Sequence, residues 1–268
     1  MPEYFHTLER NTGYAELKDA GCECLGFSTL ALAARGSYEG ITGEREALLV
    51  ILSGTCNVEV GGRRFLGIGG RASVFAGPAH SVYLPRRSTY QVTALTALEA
   101  GLPTALSDLD TEPYEITPDQ VTIQQFGALN YSRRISEILV EPNGRPASRL
   151  IVGENITPSG NWSTYPPHKH ERRDPEGSEM WHEEIYYFRL QHPEGFGLVR
   201  HYSPERGYDH TYTVRDHTLL SIPHGYHTYV VAPGYKSYYL WMLAGDGRKQ
   251  GMTLDPDLAW TQKVVGMI

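Results

Sequence analysis

Short apolar segments, separated by Gly and Pro, recur along the whole chain and restrict the folds open to it. Residues 47–52 form an apolar run that ends in a Ser-Gly turn, and residues 56–60 alternate before a Gly-Gly pair. An alternating run that stops at paired glycines is typical of a strand entering a hairpin. The chain has 28 Gly and 17 Pro in 268 residues. This regular spacing of short strands predicts an all-β sandwich or closed barrel with little helix.

The strand pattern is interrupted once, which divides the chain into two halves. Residues 102–118 are rich in Pro, Thr and Asp, and strand-like segments resume from residue 121. We therefore predict two domains, residues 1–110 and residues 111–268. A weak internal repeat supports this division, with chance similarity as the alternative. In this repeat Glu46 corresponds to Glu184, each before an apolar run, and Thr89 corresponds to His227.

One stretch of the second half carries residues that can bind a metal ion. His168 and His170 are two residues apart, so on an extended segment both imidazoles leave the same face. The two prolines directly before them exclude a helix there. Glu184 and His227 follow in strand-like segments, and the four residues form a mixed nitrogen and oxygen ligand set for a divalent transition metal. The alternative is a group of surface histidines beside an acidic loop. The first half has no His-x-His pair, so we predict that it lacks a metal site.

Charge and composition exclude several classes of partner. The net charge is −7 and there is no basic cluster, which argues against a nucleic acid or an anionic membrane surface as partner. The longest apolar run, residues 47–52, is too short to cross a bilayer, and the first residues do not resemble a signal peptide. Three cysteines are too few for a disulfide framework and favour reduced thiols in the cytoplasm.

Longer strings in the second half identify a family resemblance. They are GNWSTYPPHKH (160–170), EEIYYFRL (183–190), GFGLVRHY (195–202), TVRDHTLLSIPHGYH (213–227) and APGYKSYYLWMLAG (232–245). Together they resemble the 5-deoxy-glucuronate isomerase family of myo-inositol catabolism, which belongs to the cupin superfamily and is similar to the uronate ketol-isomerases of pectin breakdown. The resemblance implies two cupin-like double-stranded β-helix (jelly-roll) barrels, of which the C-terminal one holds the metal.

The same resemblance assigns the metal ligands to His168, His170, Glu184 and His227. The family motif has its Glu directly before an aliphatic and aromatic run, which selects Glu184 over Glu183. It further implies an intramolecular oxidoreductase that converts 5-deoxy-glucuronate to 5-dehydro-2-deoxy-gluconate with a divalent zinc, manganese or iron ion. A metal-dependent cupin oxygenase acting on a small organic substrate is the alternative, because the same ligand set can hold a redox metal. The sheet edges of two barrels would also allow a homo-oligomer.

Two residues are candidates for acting on the substrate. Alternation places Tyr186 on the face of Glu184, where it would serve as an acid–base group or, alternatively, as a packed barrel tyrosine. Arg200 would hold a substrate carboxylate in a bidentate pair, or else form an ordinary ion pair on the barrel surface. Ser136 and Trp241 depart from the residues expected in the family, a histidine and an asparagine, and affect the expected substrate detail.

Overall fold

A computed structural model of the protein describes residues 4–8, 12–173 and 179–265. Within these residues the chain forms 22 strands, four short 3-10 turns and a single short α-helix, α1 (Gln262–Val265). The prediction of an all-β chain with little helix is confirmed. Among the described residues, no helix has the length and apolar character needed to cross a membrane. All three cysteines of the chain are free thiols.

The strands follow one another with short connections. The first eleven are β1 (Phe5–Thr7), β2 (Gly13–Glu16), β3 (Leu25–Leu32), β4 (Ser37–Ile41), β5 (Arg45–Ser53), β6 (Thr55–Val60), β7 (Arg63–Gly69), β8 (Ser81–Leu84), β9 (Thr89–Ala94), β10 (Leu98–Leu106) and β11 (Tyr114–Ile116). The remaining eleven are β12 (Thr122–Phe126), β13 (Arg133–Leu139), β14 (Ile151–Thr157), β15 (Trp162–Lys169), β16 (His182–Leu190), β17 (Gly197–Ser203), β18 (Tyr208–Val214), β19 (Thr218–Ile222), β20 (Tyr226–Val231), β21 (Ser237–Gly245) and β22 (Thr253–Leu254).

These strands form four sheets, two for each half of the chain. The first half has a six-stranded sheet, in the order β11-β8-β5-β10-β3-β2, and a four-stranded sheet, β4-β9-β6-β7. The second half has a seven-stranded sheet, β1-β19-β16-β21-β14-β13-β12, and a five-stranded sheet, β18-β17-β20-β15-β22. β1 thus pairs with the second half, while β11, residues 114–116, pairs with the first. The division between residues 110 and 111 stays a prediction, and these two strands each lie across it.

Both large sheets are buried on two faces, because the halves pack together through them. Side chains of the six- and four-stranded sheets form one core, and those of the seven- and five-stranded sheets form another. A third core lies between the two large sheets and includes Phe27, Leu48, Tyr187 and Leu240. Strands β5 and β21 are therefore buried along almost their whole length, whereas β6 and β18 alternate between more and less buried positions.

Two buried glutamates join the halves by reciprocal hydrogen bonds. The carboxylate of Glu183, on β16, accepts hydrogen bonds from the backbone N–H groups of residues 23–25, where β3 begins, at 2.5–3.0 Å. The carboxylate of Glu46, on β5, accepts from the backbone N–H groups of residues 148–150, directly before β14, each at 2.7 Å. Glu46 is 0% exposed and Glu183 is 2% exposed, so water cannot replace these donors. Glu46 and Glu183 are the glutamate clamps of the fold.

The pairing of strands relates the two halves and corrects the sequence-based repeat by one residue. Glu184 and Ala47 each pair with the residue that directly precedes the proline after the neighbouring strand, β19 or β8. Ala47 therefore occupies the position of Glu184. Glu46 corresponds to Glu183, and the two residues share the clamp role.

The predicted correspondence of Thr89 with His227 agrees with the pairing of strands. His168 on β15 pairs with His227 on β20, and Ile41 on β4 pairs with Thr89 on β9. Together with Ala47, the first half thus carries an aliphatic, a hydroxyl and a methyl side chain at three positions where the second half carries the predicted ligands. None of these side chains belongs to the usual ligand types of transition metals, which favours the prediction of a first half without a metal site.

Replacing Glu46 with Gln should destabilise the chain, because an amide nitrogen would then face backbone N–H donors. We expect the free energy of unfolding to fall by about 3 kcal/mol, as for one partner lost from a buried charged network. The measurement is the midpoint of urea unfolding. Glu59→Gln is the matched control, since the Glu59 side chain on β6 is 46% exposed. Equal midpoints for Glu46→Gln and the unchanged protein would contradict the clamp.

Candidate metal centre

The four side chains predicted to bind a metal converge inside the second half. His168 lies on β15, His170 directly follows that strand, Glu184 lies on β16 and His227 on β20. One nitrogen or oxygen atom from each residue lies within 4.8 Å of the corresponding atoms of the other three. His168 is half-buried and the other three residues are buried. The fold therefore gathers three imidazoles and one carboxylate around a single point.

Hydrogen bonds orient these donor atoms. Nδ1 of His170 lies 2.7 Å from the backbone carbonyl oxygen of His182. Because a carbonyl only accepts, Nδ1 carries a proton and a neutral His170 would present a lone pair at Nε2. That Nε2 lies 3.1 Å from Oε2 of Glu184, and Nε2 of His227 lies 3.1 Å from the same oxygen. A cation between these atoms would stabilise the arrangement, and a carbonyl behind the ligating imidazole is the usual support for it.

The electrostatics of the cluster also suit a cation. Burial opposes ionisation of Glu184, but the hydrogen bonds and charges of His170 and His227 prevail and lower its pKa well below the usual range. Burial and the neighbouring histidines lower the pKa of His168, so its imidazole is neutral at pH 7. Burial likewise disfavours the charged form of His170, but Glu184 outweighs this and raises its pKa. A metal ion bound at Nε2 of His170 would take the place of the proton that this nitrogen carries when the imidazole is charged.

His168, His170 and Glu184 line the wall of a cavity of about 280 Å³, and the fully buried His227 joins them from β20. Three strands contribute alternate residues to this wall, as the period of two requires. These residues are Arg133, Ile135 and Glu137 from β13, His182, Glu184 and Tyr186 from β16, and Tyr239, Trp241 and Leu243 from β21. Among the described residues, the cavity wall thus combines three of the metal-binding candidates with apolar side chains and one arginine.

The match to a family model covers nearly the whole chain. The model of the KduI/IolB family matches residues 6–261. The chain belongs to the KduI/IolB family. An IolB-like protein of this kind from Salmonella typhimurium, known from its crystal structure, is 33% identical and superposes with a TM-score of 0.92 over 97% of this chain and 99% of that one. The resemblance seen in the sequence is confirmed.

Curated relatives of this KduI/IolB chain are named 5-deoxy-glucuronate isomerase. The protein from Geobacillus thermodenitrificans is 38% identical over 247 residues, 92% of this chain and 89% of its own. That from Geobacillus kaustophilus is 35% identical over 264 residues, 98% of this chain and 95% of its own. An oxalate decarboxylase from Lactobacillus farciminis shares the fold at 11% identity, with a TM-score of 0.69 over 100% of this chain and 94% of that one. The predicted two-barrel cupin fold is confirmed.

The structure separates the two residues predicted to act on the substrate. Tyr186 lines the cavity, and its ring centroid lies 5.6 Å from that of His227. Burial and the charge of Glu184 raise the pKa of Tyr186 well above its ordinary value, so the phenol is neutral. Arg200 is exposed on β17, where its guanidinium pairs with Asp209 at 2.7 and 2.9 Å. The expectation that Arg200 holds a substrate carboxylate is therefore corrected, because alternation turns this side chain out of the barrel.

Of the two departures from the family pattern, only Trp241 lies in the cavity. Ser136 is buried on β13, but its neighbours Ile135 and Glu137 line the cavity, so Ser136 points to the other side of the sheet. Trp241 pairs with Gly153 of β14. A Cβ atom at Gly153 would lie 2.1 Å from Cζ2 of Trp241, so the glycine provides the space for the indole ring.

Two groups at the site are missed by reasoning from the sequence. Arg133 lines the cavity, and alternation along RRISEIL (133–139) is the signal that could have found it, since Arg133, Ile135 and Glu137 share one face. The backbone carbonyl of His182 orients His170. No residue pattern marks such a carbonyl, because every residue has one.

The adjacent glutamates of β16 should respond differently to the same substitution. Glu184→Gln removes the anionic ligand, so we expect zinc affinity to fall at least about 10-fold while the fold is retained. Glu183→Gln breaks a glutamate clamp and should lower the urea midpoint with a much smaller loss of zinc affinity. Calorimetric zinc titration of chelator-treated protein, beside urea unfolding, checks both. An equal loss of zinc affinity in the two variants would contradict the assignment.

Proposed function

We propose that this chain is a metal-dependent aldose–ketose isomerase that interconverts 5-deoxy-glucuronate and 5-dehydro-2-deoxy-gluconate in inositol catabolism. The observation that carries the proposal is the convergence of His168, His170, Glu184 and His227, of which the first three line one cavity. The proposed substrate follows from the relatives named 5-deoxy-glucuronate isomerase, which match over nearly the whole chain. The expected small-molecule partner is therefore an acidic sugar.

The four converging residues would hold the metal. Three imidazole nitrogens and a carboxylate oxygen suit a divalent zinc, manganese or iron ion. When bound, such an ion acts as a Lewis acid that polarises the substrate carbonyl and makes the neighbouring C–H more acidic. The carbonyl of His182 holds the His170 ring by its Nδ1–H, at 2.7 Å, and leaves Nε2 free to coordinate.

Side chains of the cavity would position the substrate and move its protons. Isomerisation transfers one proton from C2 to C1 and another from the C2 hydroxyl to the C1 oxygen. Tyr186 lines the same cavity as Glu184, and its neutral phenol can donate to a substrate oxygen. Ile135, Trp241 and Leu243 form an apolar part of the wall, which suits the C5 methylene because that carbon has no hydroxyl to hydrogen-bond.

Two broader expectations belong to the same proposal. The three free cysteines agree with a cytoplasmic location. Association between copies of the chain through exposed sheet edges stays a prediction.

Purified protein should bind one divalent ion per chain, because the pairing of strands gives the first half no equivalent ligand set. Elemental analysis after metal loading measures this stoichiometry. His168→Ala should weaken zinc binding at least about 100-fold, since one of four ligands is lost. Two ions per chain, or ions retained by a His168→Ala/His227→Ala double variant, would place the site elsewhere.

Metal-loaded protein should convert 5-deoxy-glucuronate to the ketose in deuterated water, with solvent deuterium appearing at C1. Proton transfer by a base open to solvent exchange predicts that label, and NMR of the product detects it. Chelator-treated protein is the control and should lose activity until zinc or manganese is restored. Oxygen consumption without ketose would contradict the isomerase and support a cupin oxygenase instead.

A further inference from the structure

Arg133 supplies an unneutralised positive charge to the cavity. Among the described residues that line it, Arg133 is the only arginine or lysine. No carboxylate lies within ion-pair distance of its guanidinium in the described parts of the chain. Nη1 donates one long hydrogen bond, 3.4 Å, to the carbonyl oxygen of Tyr131. Its Nε atom is buried and has no hydrogen-bonding partner, which is also true of the neighbouring Arg134, so the position of Arg133 in the cavity wall is what distinguishes it. A guanidinium in a cavity wall without a carboxylate partner can bind an anion that enters the cavity.

The positive charge of Arg133 acts on one metal-binding candidate and on two tyrosines near it. Its guanidinium interacts electrostatically with His168, Tyr186 and Tyr239, all of which line the same cavity. Arg133 lies on β13, whereas Glu184 lies on β16, three strands away in the seven-stranded sheet. The guanidinium of Arg133 and the metal-binding candidates therefore occupy different parts of one cavity wall. An open-chain sugar could contact the guanidinium with one end and the metal-binding candidates with the other.

The neighbours of Arg133 on β13 leave it free for a ligand. Glu137 lines the cavity on the same strand, but its carboxylate accepts a hydrogen bond from Gln124 at 3.1 Å and forms no ion pair with Arg133. Arg134 is absent from the cavity lining and lies on the opposite face of the strand. One face of β13 thus presents a cation to the cavity while the adjacent arginine does not.

We propose that Arg133 binds the C6 carboxylate of the substrate and so directs the aldehyde end towards His168, His170, Glu184 and His227. This inference rests on the proposed function, since it takes a uronate as the substrate. A guanidinium matches a carboxylate with two parallel N–H donors and keeps its charge at every physiological pH. Anchoring the far end of an open-chain sugar lowers the number of orientations in which the reactive carbons miss the site. The structure gives Arg133 the role that the sequence pattern predicts for Arg200.

The test compares two sugars that differ only at C6. The first is 5-deoxy-glucuronate, and the second is 5-deoxy-glucose, in which a CH₂OH group replaces the carboxylate. For metal-loaded Arg133→Gln we expect kcat/KM on the acid to fall about 100-fold, mostly through a higher KM, as for a charge pair that loses one partner. The same variant should change kcat/KM on the neutral sugar less than about threefold. Arg133→Lys keeps the charge and should recover part of the loss on the acid.

Arg134→Gln is the matched control, because it removes the adjacent arginine from the opposite face of β13. It should leave the preference for the acid over the neutral sugar unchanged. Equal losses on both sugars in Arg133→Gln, or an equal loss of preference in Arg134→Gln, would overturn the proposal. Thermal unfolding of each variant identifies any loss that comes from a misfolded protein.

A binding measurement separates this inference from the proposed function. The C1 alcohol of 5-deoxy-glucuronate keeps the carboxylate but has no carbonyl, so it can bind without reacting. Calorimetry should show its Kd rising at least about 30-fold in Arg133→Gln and little in Arg134→Gln. If the unchanged protein isomerises neither sugar, the proposed function fails, and this result still decides whether Arg133 binds a sugar carboxylate. Equal Kd values for Arg133→Gln and the unchanged protein would overturn the role of Arg133.

Discussion

The reciprocal hydrogen bonds of Glu46 and Glu183 are the constraint on which both the fold and the site depend. Each carboxylate accepts three backbone N–H bonds from the other half at the start of a strand. Because side chains alternate along a strand, turning Glu183 towards the neighbouring half turns Glu184 into the barrel. β16 therefore joins the two halves with one glutamate and presents a metal-binding candidate with the next.

The cavity wall can hold so many polar groups because the large sheet behind it is supported from its other face. That face packs against the first half through the third core. Tyr187 of β16 and Leu240 of β21 belong to this core, and they alternate along their strands with residues that face into the barrel. Several of the inward polar groups are paired with one another. Glu184 lies between two imidazoles, and the hydroxyl of Tyr239 lies 2.6 Å from that of Ser163. Pairing of this kind offsets the cost of burying polar atoms.

The two halves separate the requirements of stability from those of chemistry. Both halves keep a glutamate clamp, which each needs in order to hold the other. The second half carries His168, Glu184 and His227. At the three corresponding positions of the internal repeat, the first half has Ile41, Ala47 and Thr89. A clamp needs only backbone N–H groups from the other half, which every residue except proline has, so it does not require metal-binding side chains. That the first half lacks a metal site stays a prediction.

The sequence by itself predicted the all-β class and the four residues that converge, the first from local patterns and the second from the His-x-His spacing together with the family resemblance. On an extended segment a His-x-His pair places both imidazoles on one face, and short apolar runs bounded by Gly and Pro predict strands. Only the tertiary structure decided which face of each strand meets the cavity. In the structure Arg200 points away from the barrel and pairs with Asp209, whereas Arg133 lines the cavity. The internal repeat is corrected by one residue, so that Glu46 corresponds to Glu183 and not to Glu184. Strand β1 pairs with the second half. These outcomes depend on which sheet lies opposite each strand, and a period of two along one strand contains no information about its neighbours.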